Sequence, residues 1–463
     1  MNDELPSGGA SKLGEQVAAR LEALVRSNAW PMGHRLGNEE ELSQTFGASR
    51  ATIREAIAIA EWNGLVERRR GREGGLYISA QTLDPAISRL RNYLFLSGAG
   101  LSELIRARRI VEGHILHRAM QRITAIEAAD LADLSASPVQ QGDDWANLDR
   151  LKRIVDRLSD LAGIPLLRLF GSALRHCFVD RVRTTTLDDG DFLAASRAVG
   201  RHRTLQVDAI RDFDQQTVRD LQTRAMDVWA AFAAQASPAR LRGAEIVDRL
   251  TATGDDALIY AFVRPAKKPE AVARAIAQMI ADRGLREGER LGVETELMAD
   301  FDISRRVFRE AVRILEWFGI VESGRGKFGG LMVGRPQREA LLASLREDAG
   351  SLCGPQETEM LLRILLLDVC RSLVADPEAA RRCTGEGTSP SMSAAQLARL
   401  LARHAPDPVI GCLAEIVVDV RERGEPSAGE PLNGGDVASF LAALAAGDRF
   451  AAPRILDALY RAG

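Results

Sequence analysis

The chain has 463 residues, 46% hydrophobic and 27% charged, with a formal net charge of -3. That composition is ordinary for a globular protein and excludes a collagen-like or wholly disordered one; the near-neutral charge excludes a uniformly basic nucleic-acid binder, so DNA contact would need local basic clusters. No run of 18 apolar residues occurs, the N-terminus lacks a signal-peptide pattern, and the five cysteines form no CxxC pair, which together predict a cytoplasmic chain with reduced thiols and no membrane contact.

Residues 1–11 are polar and Gly/Ser-rich and read as a disordered N-terminus. The first amphipathic helix is predicted over 12–27, with Leu13, Val17, Leu21, Leu24 and Val25 at helical spacing, ended by Pro31 and Gly33. Asn38 begins a second helix, with Glu41 three residues on as its capping-box partner. Phe46, Gly47 and Ala48 make a turn, and Ser49 is placed to cap a third helix over Arg50–Trp62. Gly64 stops that helix. The short strands 65–68 and 76–79 then flank a loop carrying Arg70, Gly71 and Arg72. Three helices and a two-stranded wing make a winged helix-turn-helix over 12–80.

The same text returns later. Shifted by 255 residues, 267–334 aligns with 12–79 without a gap, and about 28 of 68 positions are identical. One unit is therefore written twice, the second copy over 267–335. Arg50 and Arg54 stand four apart and share a face at the start of the predicted recognition helix, where side chains meet base edges or phosphates. Arg305 and Arg309 repeat them, Arg306 replaces Ala51, and Val307 replaces Thr52, which is expected to face the groove. The second wing offers Arg325, Gly326 and Lys327, with fewer charges than the first, so a weaker phosphate grip is expected there. Against this stands the plainer reading of an exposed helix and a solvated charge run, which the matching second copy disfavours.

The pattern RLxxExELxxxFxxSRxxxREAxxxxExxGxVExxxG resembles the DNA-binding domain of GntR-family transcription regulators. Gly37 and Gly292 stand where that family commonly has proline. The resemblance implies that Arg35, Arg50, Arg54 and Gly71 contact double-stranded DNA, as do Arg290, Arg305, Arg309 and Gly326. It further implies a palindromic operator, a homodimer and repression; a single chain acting as its own pseudo-dimer is the alternative.

Residues 84–242 carry amphipathic helices with short loops and resemble the all-helical effector domain of the FadR branch of that family. LSELIRARRIVE (101–112) looks like its opening helix and HRTLQVDAIRDFD (202–214) like a late one. Members of that branch hold a metal with one Asp and three His. Asp149 and His202 fall at two of those positions, but Arg153 stands at a third and the last falls near Arg224–Ala225, so the metal site reads as eroded and no cofactor is expected. Asp149, Arg153, His202 and Arg106 are then candidates for gripping a small anionic metabolite. The competing reading makes them solvated or satisfied bundle residues. His114 and His117, three apart, read as surface residues.

A connector follows over 243–266. Residues 337–463 form a shorter helical domain in which 359–375 is strongly apolar, 375–393 reads as a mobile polar loop, and the rest completes a packing or dimerisation bundle. The expected architecture is mainly α, two winged helices alternating with two helical bundles. No GxxxxGK[ST], HExxH or GxSxG motif occurs, so nothing points to catalysis. The rival from another class is a metabolite-binding or scaffold protein whose winged helices contact proteins.

Overall fold

The computed structural model describes residues 10–28, 30–31, 33–62, 65–69, 74–78, 84–136, 144–185, 189–235, 242–252, 267–324, 330–336, 341–342, 345, 353–385, 392–424 and 432–460. The first unit runs α1 (Ala10–Ser27), β1 (Arg35–Gly37), α2 (Glu39–Phe46), α3 (Arg50–Trp62), β2 (Val66–Arg69) and β3 (Gly75–Ile78). Val17, Leu21 and Val25 of α1 pack on Ile53, Ala56, Ile57 and Ala60 of α3, closing a small core of their own. Each large apolar side chain buried there contributes about 1.5–3 kcal/mol.

The second unit repeats the plan as α12 (Lys268–Asp282), β4 (Arg290–Gly292), α13 (Glu294–Asp300), α14 (Arg305–Trp317), β5 (Val321–Ser323) and β6 (Leu331–Val333), preceded by α11 (Gly243–Thr251), which packs on α12. The sheet registers coincide under the 255-residue shift. Arg35 pairs with Tyr77 and Val66 with Ile78; Arg290 pairs with Met332 and Val321 with Val333. Duplication therefore extends to the hydrogen-bond pattern.

Each sheet has three strands, not the two expected, in the orders β1-β3-β2 and β4-β6-β5. The extra strand is only three residues long and pairs with residues about forty positions away, so it leaves no local alternation to read. It also explains the glycines that replace proline. Gly37 and Gly292 have φ of 126° and 157°, closed to proline, whose ring fixes φ near -65°. Across the strand pair, a Cβ on Gly75 or Gly330 would lie 3.0 or 2.6 Å from the carbonyl oxygen of Gly37 or Gly292.

Between the units lies a bundle of α4 (Asp84–Leu96), α5 (Leu101–Arg122), α6 (Ala125–Ala136), α7 (Asp144–Ala162), α8 (Pro165–Arg183), α9 (Asp189–Arg211) and α10 (Gln215–Ala234). The second bundle contains α15 (Pro355–Ala375), α16 (Pro377–Gly385), α17 (Ala394–Arg403), α18 (Pro408–Gly424), α19 (Gly434–Ala445) and α20 (Ala451–Leu459). In order, these six correspond to α5–α10 but are shorter. Helix α16 corrects the expected loop over 375–393: Ala379, Ala380 and Cys383 are buried on one face, a stripe masked in the sequence by the surrounding Arg, Thr and Glu.

Both bundles and the second winged helix share one continuous core, whereas the first winged helix keeps its own. Trp317, at the end of α14, packs against both. Helix α3 touches α14, and Lys267 Nζ lies 2.9 Å from Glu61 Oε1. The bundles meet where α5 packs on α18. Four of the five cysteines are buried and all are free thiols; no helix among the described residues is long and apolar enough to cross a membrane.

Candidate nucleic-acid interface

The recognition helices are set by their caps. Asn38 caps α2 in a full capping box: its side chain accepts from the Glu40 and Glu41 backbone N–H groups, while the Glu41 carboxylate accepts from the Asn38 backbone N–H. Ser49 Oγ accepts from Thr52 N at 3.2 Å, and Ser304 Oγ from Val307 N at 3.4 Å, starting α3 and α14 at equivalent places. The second copy has lost the other cap: Val293 has no side-chain acceptor to offer.

Arg50 and Arg54 project from the first turns of α3 with side chains 62% and 59% exposed; Arg305, Arg306 and Arg309 project from α14, 67%, 80% and 61% exposed. All but Arg306, which pairs with Glu310 of its own helix at 3.1 Å, are held by a carboxylate from the helix before. Glu39 accepts from Arg54 at 2.7 Å and lies 3.5 Å from Arg68; its counterpart Glu294 takes Arg305 at 2.8 Å and Arg309 at 3.7 Å. The hydrogen bond to Glu39 raises the Arg54 guanidinium above its ordinary value, and Glu294 does the same for Arg305. Such exposed pairs are weak, so a phosphate oxyanion can take the carboxylate's place at little cost. Glu40 also holds Arg50 at 3.2 Å, while Thr295 stands at its place in the second copy.

Arg35 lies in β1, 3.1 Å from Glu41, whose carboxyl is held below the usual range by the Asn38 backbone N–H and by Arg35. Arg290 is exposed in β4. Thr52, expected to face the groove, is 7% exposed, with its hydroxyl 2.9 Å from Ser49 Oγ. Arg70, Gly71 and Arg72, like Arg325, Gly326 and Lys327, lie outside the described residues.

Of the residues expected to hold an effector, both arginines are engaged in ion pairs. Arg153 Nε lies 2.9 Å from Asp149 Oδ2, an i,i+4 pair about half exposed on α7. Arg106 Nε lies 2.8 Å from Asp407 Oδ2, and Asp407 caps α18, so this arginine joins the two bundles. His202 is partly buried on α9, its pKa lowered by burial and by Arg224 and Arg201. The donor set for the metal that the resemblance implies does not fit: Asp149 is engaged by Arg153, and among the described residues no three His, Cys, Asp or Glu side chains could share an ion. His117 is exposed; His114 is partly buried, and desolvation lowers its pKa to about 4.

The bundle does contain a cavity of about 60 Å³, lined by Arg108, Lys152, Arg175, Arg203 and Ser196 with an aromatic wall. The sequence reading missed these arginines. The available signal was Arg108 in phase with Leu104, Val111 and Ile115, a cation on the buried stripe of α5.

The model of the family "Bacterial regulatory proteins, gntR family" matches residues 13–75 and 268–328. The chain carries the GntR-family domain twice. It is 28% identical to the HTH-type transcriptional repressor NanR of Edwardsiella tarda (strain FL6-60) over 225 residues, 48% of this chain and 85% of that one. It is 28% identical to the Uxu operon transcriptional regulator of Escherichia coli (strain K12) over 144 residues, 28% of this chain and 53% of the relative. Among solved structures, Streptococcus agalactiae GntR aligns at 24% identity over 46% of this chain and 97% of its own, with a TM-score of 0.30. A duplicated GntR domain makes this chain a DNA-binding transcription regulator, and these relatives are regulators rather than enzymes.

Proposed function

We propose that this chain is a repressor that grips one palindromic operator with both of its winged helices and is modulated by a small anionic metabolite in the first helical bundle. The observation that carries this reading is the pairing of the two winged helices inside one chain, through α3, α14 and Trp317. Two-fold operators require two reading heads at fixed spacing. Here the internal pair supplies what a homodimer otherwise provides, and homodimerisation would double the heads to four. Arg50, Arg54, Arg305 and Arg309 read bases or phosphates, Arg35 and Arg290 support them from the sheet, and Arg70, Gly71, Arg72, Arg325, Gly326 and Lys327 track the backbone from the wings.

Helix α8 offers a path from bundle to reading head. Near its end, Asp180 lies 3.7 Å from Arg274 of α12, and Arg181 Nη1 donates to Gln278 at 2.5 Å. A ligand that favours one setting of α8 would bias the second winged helix, provided its affinity differs between the two settings.

The test is genome-wide footprinting with the purified chain beside Arg50→Ala/Arg54→Ala and Arg305→Ala/Arg309→Ala, with light scattering for the mass on DNA. Loss of the same sites in both double variants, with one chain per operator, is the expected result. Sites lost only in the first variant would make the second head structural. A wild type that protects nothing specific would overturn the operator reading and favour a protein-binding scaffold.

A further inference from the structure

Three guanidiniums converge inside the first bundle on too little negative charge. Arg108 from α5 and Arg203 from α9 are 5% and 4% exposed, and both bind the buried Glu112, each at 2.8 Å. Arg203 Nη1 also donates to Gln206 and Gln222, at 2.5 and 2.6 Å. Arg175 from α8 donates through Nη2 to Asp156 and Ser172, at 3.2 and 3.1 Å. Its Nη1 is buried without a hydrogen-bond partner, and so is the hydroxyl of Ser196, a residue 1% exposed. Both side chains line the cavity of about 60 Å³, whose other walls include Phe178, Phe192 and Trp229. Burial alone would raise the Glu112 carboxyl, yet the surrounding Arg108, Arg203 and Arg175 hold it at about 2, so it stays ionised. One buried carboxylate and a half-exposed Asp156, itself shared with Lys152, do not balance three guanidiniums. A buried cation without a counter-charge is costly, and an anion entering the cavity removes that cost.

We infer that this cavity is a metal-independent binding site for a short carboxylate, gripped by Arg175 Nη1 and Ser196 Oγ between Arg108 and Arg203. The inference rests on the reading of the first bundle as the effector unit and replaces Asp149, Arg153, His202 and Arg106 as its residues. Size sets the class. At about 10–15 Å³ per water-sized probe the cavity takes about four to six non-hydrogen atoms, a carboxylate of two to four carbons. Phe192 and Trp229, with ring centroids 5.4 Å apart, give its carbon chain an apolar face. Cavity-lining donors are guanidinium, ammonium and hydroxyl, a set that suits a carboxylate directly and offers no imidazole or thiolate to a metal.

The experiment is calorimetric titration of the full chain with acetate, propionate, lactate and butyrate, in buffer with and without EDTA. At least one of them is expected to bind saturably and equally well in both buffers, with Arg175→Gln weakening it at least tenfold and Ser196→Ala several-fold. Circular dichroism on both variants checks folding, and Arg175→Lys, which keeps the charge but loses the fork, is expected to fall between. The site is refuted if none of the four binds, if binding disappears with EDTA and returns with zinc, or if a folded Arg175→Gln binds as tightly as wild type. DNA retention without any carboxylate separates the two readings. Retention in Arg175→Gln with no carboxylate binding in wild type sinks the site and leaves the regulator standing, whereas carboxylate binding without DNA retention does the reverse.

Discussion

Asp180 is the residue whose loss should be felt furthest. Its side chain is fully buried and receives two hydrogen bonds from Arg91 of α4, at 2.6 and 2.8 Å, with Arg274 of α12 at 3.7 Å. Burial pushes the carboxyl up, but Arg274 and Arg91 outweigh it and hold the group at about 2. Asp180→Asn keeps the shape and removes the carboxylate that binds both guanidiniums, leaving Glu270 as their neighbouring counter-charge. Breaking one partner of a buried pair costs about 3–5 kcal/mol. The depressed pKa points the same way, so about 3 kcal/mol is the working figure. The sign follows from the lowered pKa: this contribution is fully present above the unfolded-state value near 4 and is lost as pH falls towards 2. Urea unfolding followed by circular dichroism at pH 7 and at pH 3 is the assay. Wild type should lose part of its advantage over Asp180→Asn at the lower pH. A loss below about 1 kcal/mol at pH 7, or a gap that does not narrow on acidification, would refute the reasoning.

Other changes probe separate parts of the chain. Thr52→Val should leave DNA affinity within about twofold by fluorescence anisotropy, because the hydroxyl bonds Ser49 inside the protein; a tenfold loss would return it to the groove. Gly243→Ala should lower stability by about 1–3 kcal/mol in thermal unfolding, since its Cβ would fall 2.1 Å from the Phe301 ring. An unchanged midpoint would mean that the ring moves freely. Trp317→Ala, which removes the side chain shared by both cores, should cost about 2–3 kcal/mol and make proteolysis between the reading heads faster. Equal digestion of variant and wild type would show that the heads are held together elsewhere.

The DNA-reading units were legible because their signals are local. Capping residues, apolar spacing and the paired arginines at 50 and 54 lie within one or two helical turns, and a second copy 255 residues on reproduces them. The third strand escaped because its pairing is non-local, and α16 because its buried stripe is only three small residues wide. The burial of Thr52 was not legible either, because one position on a helix is a turn of about 100°.

The sequence by itself determined two winged helices, a helical remainder and the arginines that face outward, because amphipathic periodicity and cap chemistry act within a few residues of each other. Tertiary structure alone decided which arginines face inward. Arg108, Arg175 and Arg203 come from three helices, and apart from the phase of Arg108 on the apolar stripe of α5 no local signal marks them as buried. Only packing brings them around Glu112, just as packing draws Arg91, Asp180 and Arg274 from three elements into one buried junction. Charges become informative when desolvated, and desolvation is a property of the fold.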